Sequence, residues 1–179
     1  MSTIINLYAG PGAGKSTSAA YVFSRFKNLG KNAELVTEYA KSWAWEDRKI
    51  DQYAQLYFLG QQSRRESMLY NRADYIITDS PVLLGVYYAE KFCPKSISDG
   101  IRAATLGFYS QSELDGHKHI HILLKRKSSY ETAGRYQTQD EAIDMDSGIK
   151  EMLDRLQIKY KKCNTNDDSL NSLVNNILL

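Results

Sequence analysis

The sequence is poor in the residues that cross-link a fold or anchor it in a bilayer. There are two cysteines, Cys93 and Cys163. They lie far apart in no metal-binding or redox spacing, which argues against a disulfide scaffold or a zinc site. Reduced thiols lead us to expect a cytoplasmic protein. No apolar stretch is long enough to span a bilayer. The amino terminus passes straight into Ile4-Ile5-Asn6-Leu7-Tyr8 without the basic segment or long apolar core of a signal peptide. Charge of one sign is also lacking: 23 Lys and Arg against 21 Asp and Glu leave a net charge of +2. Bulk electrostatics therefore select neither nucleic acid nor membrane, although local basic patches stay open. Internal repeats, low-complexity tracts and interdomain linkers are missing too.

What is present suits one ordinary domain of 179 residues, 42% hydrophobic and 25% charged, enough for a real core. Short apolar runs alternate with helical patterns. Strands are expected at 3–8, 33–37, 74–78, 119–124 and 157–163. The first helix runs from Lys15 to Asn28 with Gly30 as its stop. A polar, aromatic stretch covers 39–49, and a long helix 51–71. Pro81 suits the first turn of the next helix, and helical segments fill 82–114, broken near Pro94 and Gly100. Thr138 and Glu141 have capping-box spacing and open a helix to about Leu156. Leu170, Leu173, Val174, Ile177 and Leu178 mark a last amphipathic helix. This order implies an α/β fold: a five-stranded parallel sheet flanked by helices in three layers, with ligands at the carboxyl ends of the strands.

One motif there carries chemistry. The pattern G-x-x-x-x-G-K-[ST] is matched from Gly14 onward, with Ala9 in its first position and Gly10 one place later. Gly10, Pro11, Gly12, Ala13, Gly14, Lys15, Ser16 and Thr17 are the expected holders of the phosphates of ATP or a related nucleotide. Small residues let backbone N–H groups turn inward, and the helix terminus adds partial positive charge. Lys15 bridges the outer phosphates and the Ser16 hydroxyl ligates Mg²⁺. An apolar strand before the motif and an amphipathic helix after it set it apart from an ordinary glycine turn.

Three further features fall at strand ends. Asp79 ends the third strand, where a P-loop protein places the acid that holds Mg²⁺; capping of the next helix by Asp79 or Ser80 is the alternative. Glu38 follows the second strand, where a carboxylate can take a proton from an attacking hydroxyl, or where a glutamate is simply solvated. The basic segment 125–137 contains Arg126 and Arg135, candidates for a lid that neutralises transferring phosphate; a basic run is also commonly a solvated loop.

Other signals are weaker. His117, His119 and His121 share a strand face and suit a buried strand better than a metal site. Tyr39, Trp43, Trp45, Tyr53, Tyr57 and Phe58 surround the presumed acceptor side, as core or as stacking surfaces. Gln55, Gln61 and Gln62 can read polar edges of a base or face solvent.

Gly10 to Thr17, then Thr37-Glu38-Tyr39-Ala40-Lys41, Gln55 to Gln61, Ile77-Thr78-Asp79-Ser80-Pro81 and Ile122-Leu123-Leu124-Lys125 together resemble small P-loop kinases related to the bacterial nicotinamide riboside kinase domain. Many such proteins occur in bacteriophages as AAA-type or nucleotide-kinase-like ATP-binding proteins. Gly134 to Gln137 and Asp144 to Leu153 are similar to their lid and following helix. The resemblance implies an ATP- and Mg²⁺-dependent kinase spanning 1–179, with a lid near 125–138. It places Lys15, Ser16, Glu38, Asp79, Arg126 and Arg135 in the site. Riboside kinases usually carry an arginine shortly after the strand-two glutamate, whereas Lys41 stands here. The implied acceptor is a nucleoside, nucleotide or pyridine riboside. Alternatives are a polynucleotide or modified base such as 5-hydroxymethyluracil in DNA, with Lys41, Arg48, Arg64 and Arg65 forming a groove, or a regulatory ATPase without transfer.

Overall fold

The computed structural model describes residues 1–126 and 138–179. Five strands, β1 (Thr3–Tyr8), β2 (Ala33–Val36), β3 (Tyr75–Thr78), β4 (Lys118–Lys125) and β5 (Tyr160–Asn164), form one parallel sheet in the order β2-β3-β1-β4-β5. Both neighbours of β1 run parallel to it, with Ile5 opposite Ile77 on one side and Ile120 on the other. The helices are α1 (Lys15–Asn28), α2 (Ala40–Trp45), α3 (Ala54–Ser67), α4 (Leu84–Phe92), α5 (Lys95–Leu114), α6 (Gln139–Arg155) and α7 (Asp167–Leu178). None is long and apolar enough to cross a membrane.

Strand periodicity decides the layers. Ile5 and Leu7 point to a core shared with Ala19, Val22 and Phe26 of α1 and Leu170, Leu173 and Val174 of α7. Tyr8 points the other way, against Leu84, Val86 and Tyr87 of α4 and Met145, Ile149 and Met152 of α6. Each fully buried aliphatic side chain contributes about 1.5–3 kcal/mol, so the two faces lock the sheet between helical layers. This is the expected three-layer α/β architecture.

Local signals act as their chemistry requires. Gly30 stops α1 at φ +70° and donates to the Lys27 carbonyl at 2.9 Å. Thr138 and Glu141 close the capping box: the Thr138 amide donates to Glu141 Oε2 at 2.7 Å, and the Glu141 amide donates to Thr138 Oγ1 at 3.3 Å. Pro94 caps α5. One reading needs correction. α5 runs unbroken through Gly100; one glycine costs a helix about 1 kcal/mol, which burial of the neighbouring Ile101 and Thr105 offsets. The 39–49 stretch contains a helix, α2, with no fully buried residue and hence no apolar stripe to reveal it.

Candidate nucleotide site

β1 delivers the glycine loop to the carboxyl edge of the sheet. Ala9, in the motif's first position, is fully buried, so its methyl group packs into the core and leaves the loop unobstructed. Gly12 and Gly14 take φ of +75° and +87°, values that side chains disfavour. Gly14 also caps α1 without a side-chain bond, and no acidic residue occupies the first turn. The positive end of α1 is thus left for an anion. Lys15 folds back over the loop, its Nζ donating to the carbonyls of Ala9 at 2.8 Å and Gly10 at 3.3 Å.

β3 places Asp79 beside this loop, 3% exposed. The Ser16 hydroxyl donates to its Oδ2 at 2.6 Å, and the Glu38 amide donates to its Oδ1 at 2.9 Å. One carboxylate therefore ties the loop to the end of β2. The cap alternative fails, because α4 starts at Leu84 without any side-chain cap. Gln62 of α3 secures the next residue, accepting from the Tyr39 amide at 3.1 Å. It is buried and engaged with backbone, so it neither faces solvent nor offers its carbonyl to a base.

A cavity of about 800 Å³ runs from Lys15, Ser16 and Thr17 past Glu38 to a far wall that includes Gln55, Phe58 and Tyr88. Lys41 and Lys49 also line it, as does Trp45, which is 66% exposed. Tyr88 was not singled out by sequence. Burial raises its phenol well above the ordinary value, and the Glu38 carboxylate reinforces the shift. Tyr39 and Phe58, which line the cavity, pack ring on ring with Trp43 and Tyr57. Arg65 lies over Tyr39 at 4.8 Å and Arg48 over Trp43 at 5.3 Å, and Arg48 also pairs with Glu46. These two arginines brace the aromatic cluster.

Residues 4–168 match the family model AAA_28, described as an AAA domain. The chain belongs to this AAA-domain family. Among curated proteins none matches it. Among solved structures, the NadR protein in complex with NR superposes with a TM-score of 0.72 at 12% identity, over 96% of this chain and 50% of that one. The NadR protein in complex with NAD and AMP-PNP gives 0.67 at 11% identity, over 98% and 48%. At such identity the likeness establishes the fold alone. The AAA-domain chain spans about half the length of these structures.

Two further sets of residues complete the surroundings of the AAA-domain site. Arg126, at the exit of β4, turns onto α6, where Nε pairs with Asp146 at 2.6 Å and Nη2 donates to the Ala142 carbonyl at 3.0 Å. Asp146 also accepts from the Gly10 amide. Sequence reading passed over Asp146, whose loop partner is 136 positions away. Arg135 and the central part of the expected lid lie outside the described residues. The three histidines enter a buried polar layer beneath α5. His121 Nδ1 meets the Tyr8 hydroxyl at 2.9 Å and Nε2 meets Tyr109 at 3.2 Å. His119 Nε2 meets Ser112 at 2.6 Å, and His117 Nδ1 accepts from the Ser2 amide at 3.0 Å. Among the described residues, no cluster of three or more His, Cys, Asp or Glu is arranged to hold a metal ion.

Proposed function

We propose that this protein transfers the γ-phosphoryl group of ATP to a hydroxyl or phosphate of a small ring-bearing acceptor: a nucleoside, a nucleotide or a pyridine riboside. The observation that carries the reading is the continuity of one cavity from the Lys15–Ser16 end of the loop to Glu38 and the aromatic wall. Donor and acceptor ends are joined through Asp79, which holds Ser16 on one side and the Glu38 backbone on the other. In-line transfer demands such positioning above all.

The residues fit Mg²⁺. Ser16 Oγ and Asp79 Oδ2 are hard oxygens side by side, and Mg²⁺ typically takes one or two protein oxygens together with substrate phosphates. Bound there, the ion would neutralise charge on the phosphate oxygens. Lys15 supplies a movable cation to the same oxygens, and backbone N–H groups of the loop hold them without reorganisation. Glu38, half-buried on the cavity wall beyond Lys15 and Ser16, is assigned the role of proton acceptor for the attacking hydroxyl. Phe58, Tyr88 and Trp45 offer flat surfaces to a ring, and Gln52 and Gln55 offer polar edges beside them.

A DNA acceptor is the second reading. It rests on the exposed Trp45 at the cavity mouth beside Lys41 and Lys49, a stacking surface with cations. Arg48 and Arg65, already laid on aromatic rings, weaken the case for a broad basic groove.

ATP consumption across nucleosides, nucleotides, ribosides and oligonucleotides, each with product detection by mass spectrometry, tests the proposal. A phosphorylated small molecule is expected. A phosphorylated oligonucleotide alone selects the second reading, and ATP hydrolysis without any phosphorylated acceptor contradicts both.

A further inference from the structure

We infer that Asp146 is a positioning residue for the phosphate loop, acting through the Gly10 peptide, with Arg126 neutralising its charge. The inference rests on the loop holding nucleotide phosphates and is independent of the acceptor.

Gly10 lies hard against α6. A methyl group there would come within 2.7 Å of the Ala142 carbonyl, 2.8 Å of Asp146 Oδ1 and 3.2 Å of Arg126 Nη2. Small size at position 10 is therefore required by α6, a demand separate from phosphate binding. The peptide group between Ala9 and Gly10 is gripped on both sides. Its N–H, that of Gly10, donates to Asp146, and its carbonyl, that of Ala9, accepts from Lys15 at 2.8 Å. An amide hydrogen-bonded to a carboxylate is polarised, and successive hydrogen bonds through a peptide strengthen one another. Asp146 thus fixes the strand-to-loop exit from which Lys15 and the loop amides are aimed.

A bare carboxylate beside a phosphate loop would repel the ligand. Here the charge is balanced: Arg126 Nε pairs with Oδ2, and the pair is largely shielded, with side chains 12% and 26% exposed. The arginine adds a bond to Ala142, one turn before Asp146, and so holds the carboxylate's own helix. α6 in turn is seated on α4 by the close approach of Gly148 to the Tyr87 ring. Loop, β4 exit and α6 are thus joined at a single carboxylate.

The test is calorimetric titration of the full chain and its D146A, D146N and R126Q variants with Mg·ATP and with adenosine. Adenosine lacks the groups the loop would hold. The D146A variant should lose about tenfold or more in Mg·ATP affinity, the scale of a charge-assisted hydrogen bond, with adenosine affinity unchanged. The D146N variant, which keeps an oxygen for the Gly10 amide, should fall between it and the parent. The R126Q variant should also lose Mg·ATP selectively. Hydrogen exchange at the Gly10 amide should quicken in D146A and less in D146N, a readout available even at reduced stability. Equal affinity for Mg·ATP in folded D146A and parent would overturn the inference. So would a matching loss for adenosine, which marks general damage. A parent chain without measurable affinity for Mg·ATP would overturn the phosphate-loop reading itself, and this inference with it.

Discussion

The Ser16 hydroxyl donates to Asp79 Oδ2 at 2.6 Å, joining the first turn of α1 to the end of β3. Since Asp79 Oδ1 also receives the Glu38 amide, removing the carboxylate leaves two donors without their acceptor. Asp79→Ala should destabilise the fold by about 1–3 kcal/mol in urea unfolding. It should also raise the Mg²⁺ concentration needed for half-maximal ATP turnover. Asp79→Asn should recover most of the stability and little of the Mg²⁺ response. Parent-like Mg²⁺ dependence in both variants would count against the metal role.

Lys15 tests the donor side. Its ammonium spans two loop carbonyls, and in the proposed function it is the cation that reaches the phosphates. Lys15→Ala should lower kcat by about a hundred- to a thousandfold, as expected for loss of a donor to transferring charge. Steady-state kinetics at saturating acceptor, alongside a thermal melt, separates this effect from misfolding.

Stability should depend on pH from two sides. Glu66 of α3 is buried among Tyr8 of β1 and Tyr70, and burial raises its carboxyl from 4.5 to about 7, against a smaller lowering by the Tyr70 hydrogen bond. The folded state therefore holds a proton that the unfolded chain releases. This contribution is complete below pH 4.5 and is lost as pH rises through about 7. Burial also lowers His119 and His121 from 6.5 to about 3 and about 4; their contribution is present above pH 6.5 and is lost on acidification. Between pH 4.5 and 6.5 the two histidines together outweigh Glu66, so stability should peak near neutrality. Glu66→Gln should remove the loss on the alkaline side and gain about 3 kcal/mol at most relative to the parent at pH 8. Melting curves from pH 4 to 9 provide the check.

Gly148 gives a packing test remote from the loop. A β-carbon there would sit 2.6 Å from the Tyr87 ring, which is itself buried. Gly148→Ala should cost about 1–3 kcal/mol, the usual penalty for overpacking, despite alanine's better helix propensity. An unchanged denaturation midpoint would show that α6 and α4 are less tightly seated.

Much of this was legible in the chain itself. The spans read for β1 and α1 coincide with the structure, because an apolar run, a glycine loop and an amphipathic helix leave little freedom there. Glu38 and Asp79 were recognisable by their positions at strand ends, since a parallel sheet brings those ends together. Asp146 was not, because nothing local distinguishes it from other acids on a helix face; its meaning comes from Gly10, brought near only by folding. Gln62 was ambiguous for the same reason, its partner being the backbone amide of Tyr39. The break expected at Gly100 failed because local propensity does not register tertiary burial of Ile101 and Thr105.

The most direct measurement of the central claim follows the γ-phosphate of labelled ATP in the presence of Mg²⁺ and the acceptor panel, comparing the parent with Glu38→Gln. The account predicts label on a small ring-bearing acceptor. It also predicts a fall in kcat of about a hundredfold or more in the variant, the scale of lost general-base assistance, with ATP affinity preserved. Label recovered only as inorganic phosphate, or transferred equally well by the variant, would contradict it.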